Sequence, residues 1–437
     1  MNHLRTLLLA LFTAVALEAA PALYLDPGPM LGHVGPDEAH FWVRGSSASK
    51  VSVVIGTQPD LSDARRVDGP LLTAKTDLTG IVRVTGLKPA TTYSYRIELD
   101  GTPVLLPPYP RFTTAPLQGE SGRLRFAFSS CVGNEGLLTA GIWAEMAART
   151  SFDLLLMLGD NHYADTTQAD VQRAAYYDHR RPLGYADIMR RVASYGIWDD
   201  HDFGPNDSDA MATGKEIALR TFKQFWPNPA FGEPENPGIY FRFSRGDVDF
   251  FMLDVRYHRS SNRAQDDGTK TMLGAAQVAW LKRELKASRA KVKFIASGSE
   301  WQPNGHLDSW TSFAREREEL FSFIRDEQIG GVVLLSGDRH FSAGYQIGGR
   351  LMEITAGPLG SRNFPSKNLP DMFFNFPYGT MCAVFDVDTT TPEPRLALEV
   401  YRAGYGRIYE RVFTWDEVEG RTRIEPLPVG VLPTQQP

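Results

Sequence analysis

Long apolar runs are absent from this chain beyond its first dozen residues, and no later stretch approaches the roughly 20 needed for a membrane-spanning helix. Cysteine is nearly missing as well. Cys131 and Cys382 are the only two, too few for a scaffold built on disulfides. An exported protein can pair two such thiols, although a chain of this size needs no such staple. Positive charge is not in surplus: 46 Lys and Arg face 52 Asp and Glu, a formal net charge of -6. That balance argues against holding a polyanion such as nucleic acid by charge. A small anionic substrate stays open, because a bound metal supplies positive charge that the residue sum omits. Internal repeats and low-complexity tracts are missing too. What remains, 42% hydrophobic and 22% charged over 437 residues, is the composition of a soluble globular protein with room for two domains.

The first residues differ from the rest. Arg5 precedes the apolar run 7–12, and small residues follow as far as Ala20. A positive head, a short apolar stretch and small residues at a cleavage point predict a signal peptide over 1–20, hence an exported protein, periplasmic or secreted. No cysteine follows the apolar run, so no lipid anchor is expected, and no twin arginine is present.

Residues 22–115 read as strands and turns. His40–Val43, Val51–Ile55 and Ile81–Val84 are strand-like without helical period. Pro89 then leads into Tyr93-Ser94-Tyr95, the approach to a late strand in fibronectin III and immunoglobulin-like β-sandwiches, where a tyrosine ties down the corner. A linker over 115–122 leads into 122–425. There, strands expected over 123–129, 153–158, 195–198, 248–253, 291–296 and 331–335 alternate with helices over 137–149, 171–177, 215–225, 275–287 and 315–327. Such alternation predicts a layered α/β domain. Cys382 reads as a small buried strand residue. The stretches 203–214, 257–273 and 361–378 read as long loops around a site, and 426–437 as a tail.

Four predicted strands end in residues that bind metals. One runs into Cys131, one into Asp160-Asn161-His162-Tyr163, one into Asp199-Asp200-His201-Asp202, and one into Asp338-Arg339-His340. Alone, each has a plain structural reading: a turn residue, a helix cap, a core cysteine or a satisfied histidine. Together they predict one crevice, because ligands gather at the carboxyl ends of strands in α/β folds. Asp160, Asp200 and Asp338 would repel one another unless cations sat among them. Their oxygens suit Ca, Mg or Mn. Cys131, Tyr163 and His340 form a second donor set, and a thiolate with a phenolate favours Fe(III), with zinc open by ligand type. In-line displacement at phosphorus is the reaction that uses two such ions: one acidifies the attacking water and both neutralise phosphoryl oxygens. His201 would protonate the leaving oxygen or hold the phosphate. Arg256 and Arg339 suit a phosphate clamp, and are as common in structural ion pairs.

The run Ser129-Ser130-Cys131, then 159–165 (GDNHYAD), 198–202 (WDDHD), 253–256 (LDVR), 273–281 (LGAAQVAWL) and 336–340 (SGDRH), resembles the PhoD-like branch of the metallophosphatases in content and order. The resemblance implies a calcineurin-like, four-layer αββα sandwich preceded by a small β-sandwich. It implies one iron with one or two calcium ions, for which Mn, Mg or Zn can substitute. Cys131, Tyr163 and His340 would hold iron, Asp160 would bridge, and Asp200 and Asp338 would lie on the calcium side. It also implies alkaline phosphatase activity on a small phosphoester, with inorganic phosphate as product. A phosphodiesterase or phospholipase D is the alternative. A secreted metal-binding module without activity ranks below both, because every expected donor is present. Glu300 falls where a further metal motif belongs and reads as a loop carboxylate rather than a ligand. Asn206 and Asp207 either reach the calcium side or cap a turn.

Overall fold

A computed structural model describes residues 22–133, 136–149, 151–364, 366 and 368–426. The expected signal over 1–20 and the expected tail from 427 onward lie outside the described residues. No helix among the described residues is long and apolar enough to cross a membrane.

Residues 22–115 form two antiparallel sheets. Met30–Val34, Glu38–Arg44 and Thr79–Thr85 make one; Arg65–Leu72, Ser49–Gly56, Thr92–Leu99 and Thr102–Pro103 make the other, with Arg111–Thr113 paired on Thr92–Leu99. Alternating β-branched and aromatic residues turn one face of each sheet inward. Phe41 meets Tyr95 at 4.7 Å and Phe112 at 5.8 Å between ring centres. The Tyr93 hydroxyl accepts from the Lys88 amide at 2.9 Å, closing the corner that the sequence pattern suggested. This part rests on the remainder of the chain through a shared apolar cluster, in which Trp42 meets Phe225 at 5.5 Å, and through polar contacts: the Tyr95 hydroxyl donates to the Arg190 carbonyl at 2.6 Å and the Trp42 indole to the Gln224 carbonyl at 2.9 Å.

Beyond the linker, two mixed sheets pack face to face. The first orders Ala193–Ile197, Leu154–Leu158, Arg123–Ser129, Met381–Asp388, Arg395–Arg402 and Gly406–Phe413. Its first three strands are parallel and the rest antiparallel. The second orders Phe241–Arg245, Val248–Met252, Val292–Ser297, Val332–Ser336, Leu351–Thr355, Ser342–Ile347 and Met372–Phe376. Between the sheets Phe126 meets Phe250 at 5.2 Å and Phe294 at 4.8 Å, and Phe294 meets Phe385 at 5.3 Å. Aromatic rings of this size set the separation of the two layers. Outside the second sheet, Leu281 and Leu285 of helix Ala275–Ala287 and Leu320 and Ile324 of helix Ala314–Asp326 share a buried cluster with Phe251, Ile295 and Leu334. Outside the first, Trp143 of helix Gly136–Arg149 stacks on Tyr185 of helix Leu183–Arg191 at 4.2 Å.

The six strands expected in this part form within two residues of their expected bounds. The stretch 361–378 is not one long loop: Met372–Phe376 pairs with Ser342–Ile347 at the sheet edge. Phe373 and Phe374 are buried there while Met372 and Phe376 are partly exposed, a pattern without strand alternation, and pairing with a partner strand fixes it. Cys131 and Cys382 are both buried and unpaired with each other.

Candidate metal centre

The four tips expected to bind metal meet at the carboxyl ends of their strands. Three leave the first sheet, after Arg123–Ser129, Leu154–Leu158 and Ala193–Ile197; the fourth leaves the second sheet after Val332–Ser336. Glycine makes the approach possible. A Cβ on Gly159 would lie 2.7 Å from the Cβ of Asp199, and one on Gly337 would lie 2.5 Å from the Leu158 carbonyl oxygen. Each is the residue before an aspartate of the site, so the two Gly-Asp pairs are packing requirements as well as ligand motifs. Cys131, Asp160, Asp338 and His340 all have left-handed backbone, at φ 62°, 52°, 67° and 49°. Non-glycine residues hold that conformation at a cost, and such strain concentrates at functional sites.

Backbone and side-chain bonds lock the tips together. The Cys131 amide donates to the Gly159 carbonyl at 3.2 Å and the Val132 amide to the Asp160 carbonyl at 2.8 Å. Asp202 accepts from the amides of Asn161 at 2.9 Å and Asp199 at 3.1 Å, joining the second tip to the third. Burial pushes its carboxyl up to about 7.

Two donor sets share Asp160. Cys131, Asp160 and His340 offer ligand atoms within 4.8 Å of one another, and so do Asp160, Asp200 and His201. Tyr163 completes the first set: its hydroxyl lies 3.3 Å from Asp160 and 2.9 Å from His340 Nε2. The Nδ1 of His340 donates to the Arg362 carbonyl at 2.6 Å, which leaves Nε2 with its lone pair toward Tyr163. That arrangement presets a histidine for a metal. Burial lowers His340 to about 4, keeping it neutral.

The carboxylates are short of hydrogen bonds, although Asp200 Oδ1 lies 3.7 Å from Arg256 and Asp338 Oδ2 3.8 Å from Arg339. Asp160 Oδ1, Asp200 Oδ1 and Asp338 Oδ2 are buried without a hydrogen bond among the described residues. Burial, then the charges of Asp200 and Asp199, push Asp160 well above the usual carboxylate range; burial does the same for Asp338 despite Arg339. Burial, then Asp160, also raises the Cys131 thiol, and burial, then Cys131, raises the Tyr163 phenol. Buried polar atoms are ordinarily satisfied, and a cation among these donors would satisfy them and favour their ionised forms. The residues present therefore fit a two-ion site of one soft-and-phenolic half and one oxygen-rich half.

A cleft of about 700 Å³ opens on these groups, lined in part by Tyr163, Asp200, His201, Asp338, Arg339 and His340. His201 sits in it with Nδ1 2.5 Å from Asp165 Oδ1 and its ring 4.2 Å from the Tyr163 ring. Burial alone would lower this histidine; the charge of Asp200 and the bond to Asp165 outweigh it and raise its pKa. All seven expected site residues thus come together. Arg256 does not join them as a clamp. It is fully buried behind the site, 2.5 Å from Asp199 and 2.6 Å from Asp308. Glu300 is buried too, 3.4 Å from Arg339 and hydrogen-bonded by Asn304, and stands outside the donor sets. Asn206 and Asp207 line the cleft, and the Asp207 amide donates to Asp200 Oδ2 at 2.8 Å.

Sequence reasoning missed Asp165, Asp308, His306, Arg362 and Phe364. Asp165 stood inside the 159–165 motif without a role. Asp308 and His306 lie in an irregular segment with no periodic signal. Arg362 and Phe364 fall in the stretch expected to rim the site.

Facing sheets with carboxylates, a cysteine and histidines gathered at their carboxyl edge make this a metallophosphatase fold. A structure of PhoD superimposes with TM-score 0.74 at 19% identity, covering 90% of this chain and 94% of that one. A purple acid phosphatase from yellow lupin (Lupinus luteus) seeds superimposes with TM-score 0.64 at 13% identity, covering 88% and 73%. Residues 126–411 match the model of the PhoD-like phosphatases, and the chain belongs to that family. Residues 22–117 match a domain of unknown function (DUF7800). Alkaline phosphatase D of Bacillus subtilis (strain 168) is 27% identical over 315 residues, 60% of this chain. The match spans about half the length of that relative, 53% of it.

Proposed function

We propose that the protein is an exported, metal-dependent phosphoester hydrolase of the alkaline phosphatase D type, acting on phosphomonoesters and releasing inorganic phosphate. The observation that carries this reading is the set of buried carboxylate oxygens on Asp160, Asp200 and Asp338 that lack a hydrogen-bond partner among the described residues, beside an open cleft that Asp200 and Asp338 line. In this reading Cys131, Tyr163 and His340 would hold iron(III), Asp160 would be shared with the second ion, and Asp200 and Asp338 would hold one or two calcium ions, with Mn, Mg or Zn as substitutes. When bound, such ions neutralise phosphoryl oxygens and acidify water.

The chain's own residues do the remaining work. His201, held by Asp165, is positioned to give a proton to the leaving oxygen. Arg339 faces the cleft beside Asp338 and donates to phosphoryl oxygens, while Glu300 behind it fixes the guanidinium. The buried pairing of Arg256 with Asp199 and Asp308 holds the third tip in place from below. The architecture fits a four-layer αββα sandwich over 122–425. Over 22–115 it fits a fibronectin III or immunoglobulin-like β-sandwich, a reading that the Tyr93 corner and the two antiparallel sheets support. Export rests on the 1–20 segment.

The test is parallel turnover of p-nitrophenyl phosphate and bis-p-nitrophenyl phosphate in calcium-containing buffer, with Asp160→Asn as control. Preference for the monoester, lost in the variant, is expected. Preference for the diester would move the assignment to a phosphodiesterase or phospholipase D. Turnover of neither by metal-replete protein would reduce the site to a binding module.

A further inference from the structure

Phe364 is 42% exposed, yet it is not loose. Its ring lies on the His340 imidazole with centres 4.8 Å apart and planes at 27°, and the Arg362 guanidinium stands 5.2 Å from its centre. The backbone just before it is pinned by Arg362 and Asn363. The Arg362 carbonyl accepts from His340 Nδ1 at 2.6 Å, and the Asn363 side-chain amide donates to the carbonyls of His340 and Gly379 at 3.0 Å each. Asn363 Oδ1 in turn accepts from the Gly379 amide at 2.9 Å. An aromatic ring fixed in this way while facing solvent gains nothing for the core. It gives the cleft a rigid flat surface beside the metal-binding histidine.

The rest of the cleft limits what that surface meets. Asn206, Asp207 and His306 line it with polar groups, so no continuous apolar wall is offered to an acyl chain. A cleft of about 700 Å³ is far larger than a phosphate ion needs, so most of it is left for the leaving group. A flat ring is the group that an aromatic face and a guanidinium plane both stack on. We propose that Phe364 and Arg362 form a leaving-group subsite for a planar aromatic ring, so that the preferred substrates are aryl or nucleoside phosphomonoesters. The proposal rests on the phosphoester reading above and adds the substrate class to it.

Three substrates test it: phenyl phosphate, adenosine 5′-monophosphate and glycerol phosphate, each with wild type, Phe364→Ala and Phe364→Trp. In Phe364→Ala the kcat/KM of at least one ring-bearing substrate is expected to fall about tenfold further than that of glycerol phosphate, chiefly through KM, as loss of one stacked face implies. Phe364→Trp is expected to keep the wild-type ratios. The two ring-bearing substrates separate an aryl from a nucleoside preference. Inhibition by free adenosine or phenol, which carry the ring without the phosphate, is expected to weaken in Phe364→Ala in step with the affected substrate. An equal loss for all three substrates would mean that the ring only props His340, and would overturn the subsite. So would unchanged ratios between wild type and Phe364→Ala. Turnover of none of the three by metal-replete wild type would overturn the phosphoester reading and the subsite together.

Discussion

The Nε of Arg256 donates to Asp199 at 2.5 Å, with both side chains fully buried beneath the candidate metal centre. Asp308 takes the other edge of the same guanidinium at 2.6 Å, and Arg259 reaches Asp308 as well, also at 2.6 Å. Burial would raise Asp308, but Arg256 and Arg259 outweigh it and hold it well below the usual carboxylate range. This arginine is committed to structure. Arg256→Met should therefore destabilise the protein by about 3–5 kcal/mol, the usual effect of stranding a buried charge. Urea melts of metal-loaded protein measure it. A phosphate clamp would instead raise KM and leave the melt unchanged.

Asp160 is shared by two of the three candidate donor groups, the third being Asp199, Asp200, Asp308 and Asp338. Asp160→Asn should lower kcat/KM by at least ~100-fold and release metal from both halves. Metal analysis alongside turnover checks this, and near-normal activity with intact metal content would defeat the two-ion account.

The thiol of Cys131 and the phenol of Tyr163 flank Asp160, at 3.5 and 3.3 Å. Iron(III) there should give the purified protein a visible charge-transfer band, lost in the Cys131→Ser, Tyr163→Phe double variant. A colourless, fully active enzyme would rule out iron and leave the hydrolase reading standing.

His201 as proton donor makes a prediction about leaving groups. His201→Ala should cost about 10²–10⁴-fold on alkyl phosphates, whose alkoxide needs a proton. It should cost much less on p-nitrophenyl phosphate, whose phenolate leaves unaided. Equal losses on both would assign His201 to binding. Asp165→Asn, which weakens the bond orienting the ring, should show the same pattern in smaller measure.

The seam between the N-terminal sheets and the remainder should respond to acid. His33 and His40 share Glu38, at 3.5 and 3.2 Å, and His33 also meets the Tyr195 hydroxyl at 3.2 Å. Arg83 and Arg245 are the nearby cations. Burial, and then the neighbouring His33, lower His40. A histidine whose folded pKa is depressed binds more protons when unfolded, so stability falls as pH drops through about 6.5. Glu38, lowered to about 2 first by its bond to His33, acts in the same direction below about 4.3. The melting temperature should therefore fall more steeply between pH 7.5 and 5 in wild type than in His40→Gln. Parallel curves would show that His40 does not titrate at this seam.

Local pattern carried much of this protein. Apolar strands that stop at Gly-Asp or at an acidic cluster announce both the layered α/β part and its candidate donors, because strand period and abrupt polar ends are written residue by residue. Leu154–Leu158 before Gly159-Asp160 and Val332–Ser336 before Gly337-Asp338 read directly. The strand Met372–Phe376 did not, since an edge strand's conformation is fixed by its partner and not by its own alternation.

Residue types and their order were enough to pick out side chains that the fold gathers at one cleft, because metal chemistry selects side chains by their atoms. Whether an arginine clamps or braces, and whether an aromatic is core or platform, was decided by tertiary structure alone. Arg256 and Arg339 are the same residue type beside similar aspartates, yet one is sealed against Asp199 and Asp308 and the other faces the cleft. The difference lies in burial and in partners such as Asp308, 52 residues away in sequence. Contacts at that separation leave no local trace, since they exist only once the two sheets have closed on each other.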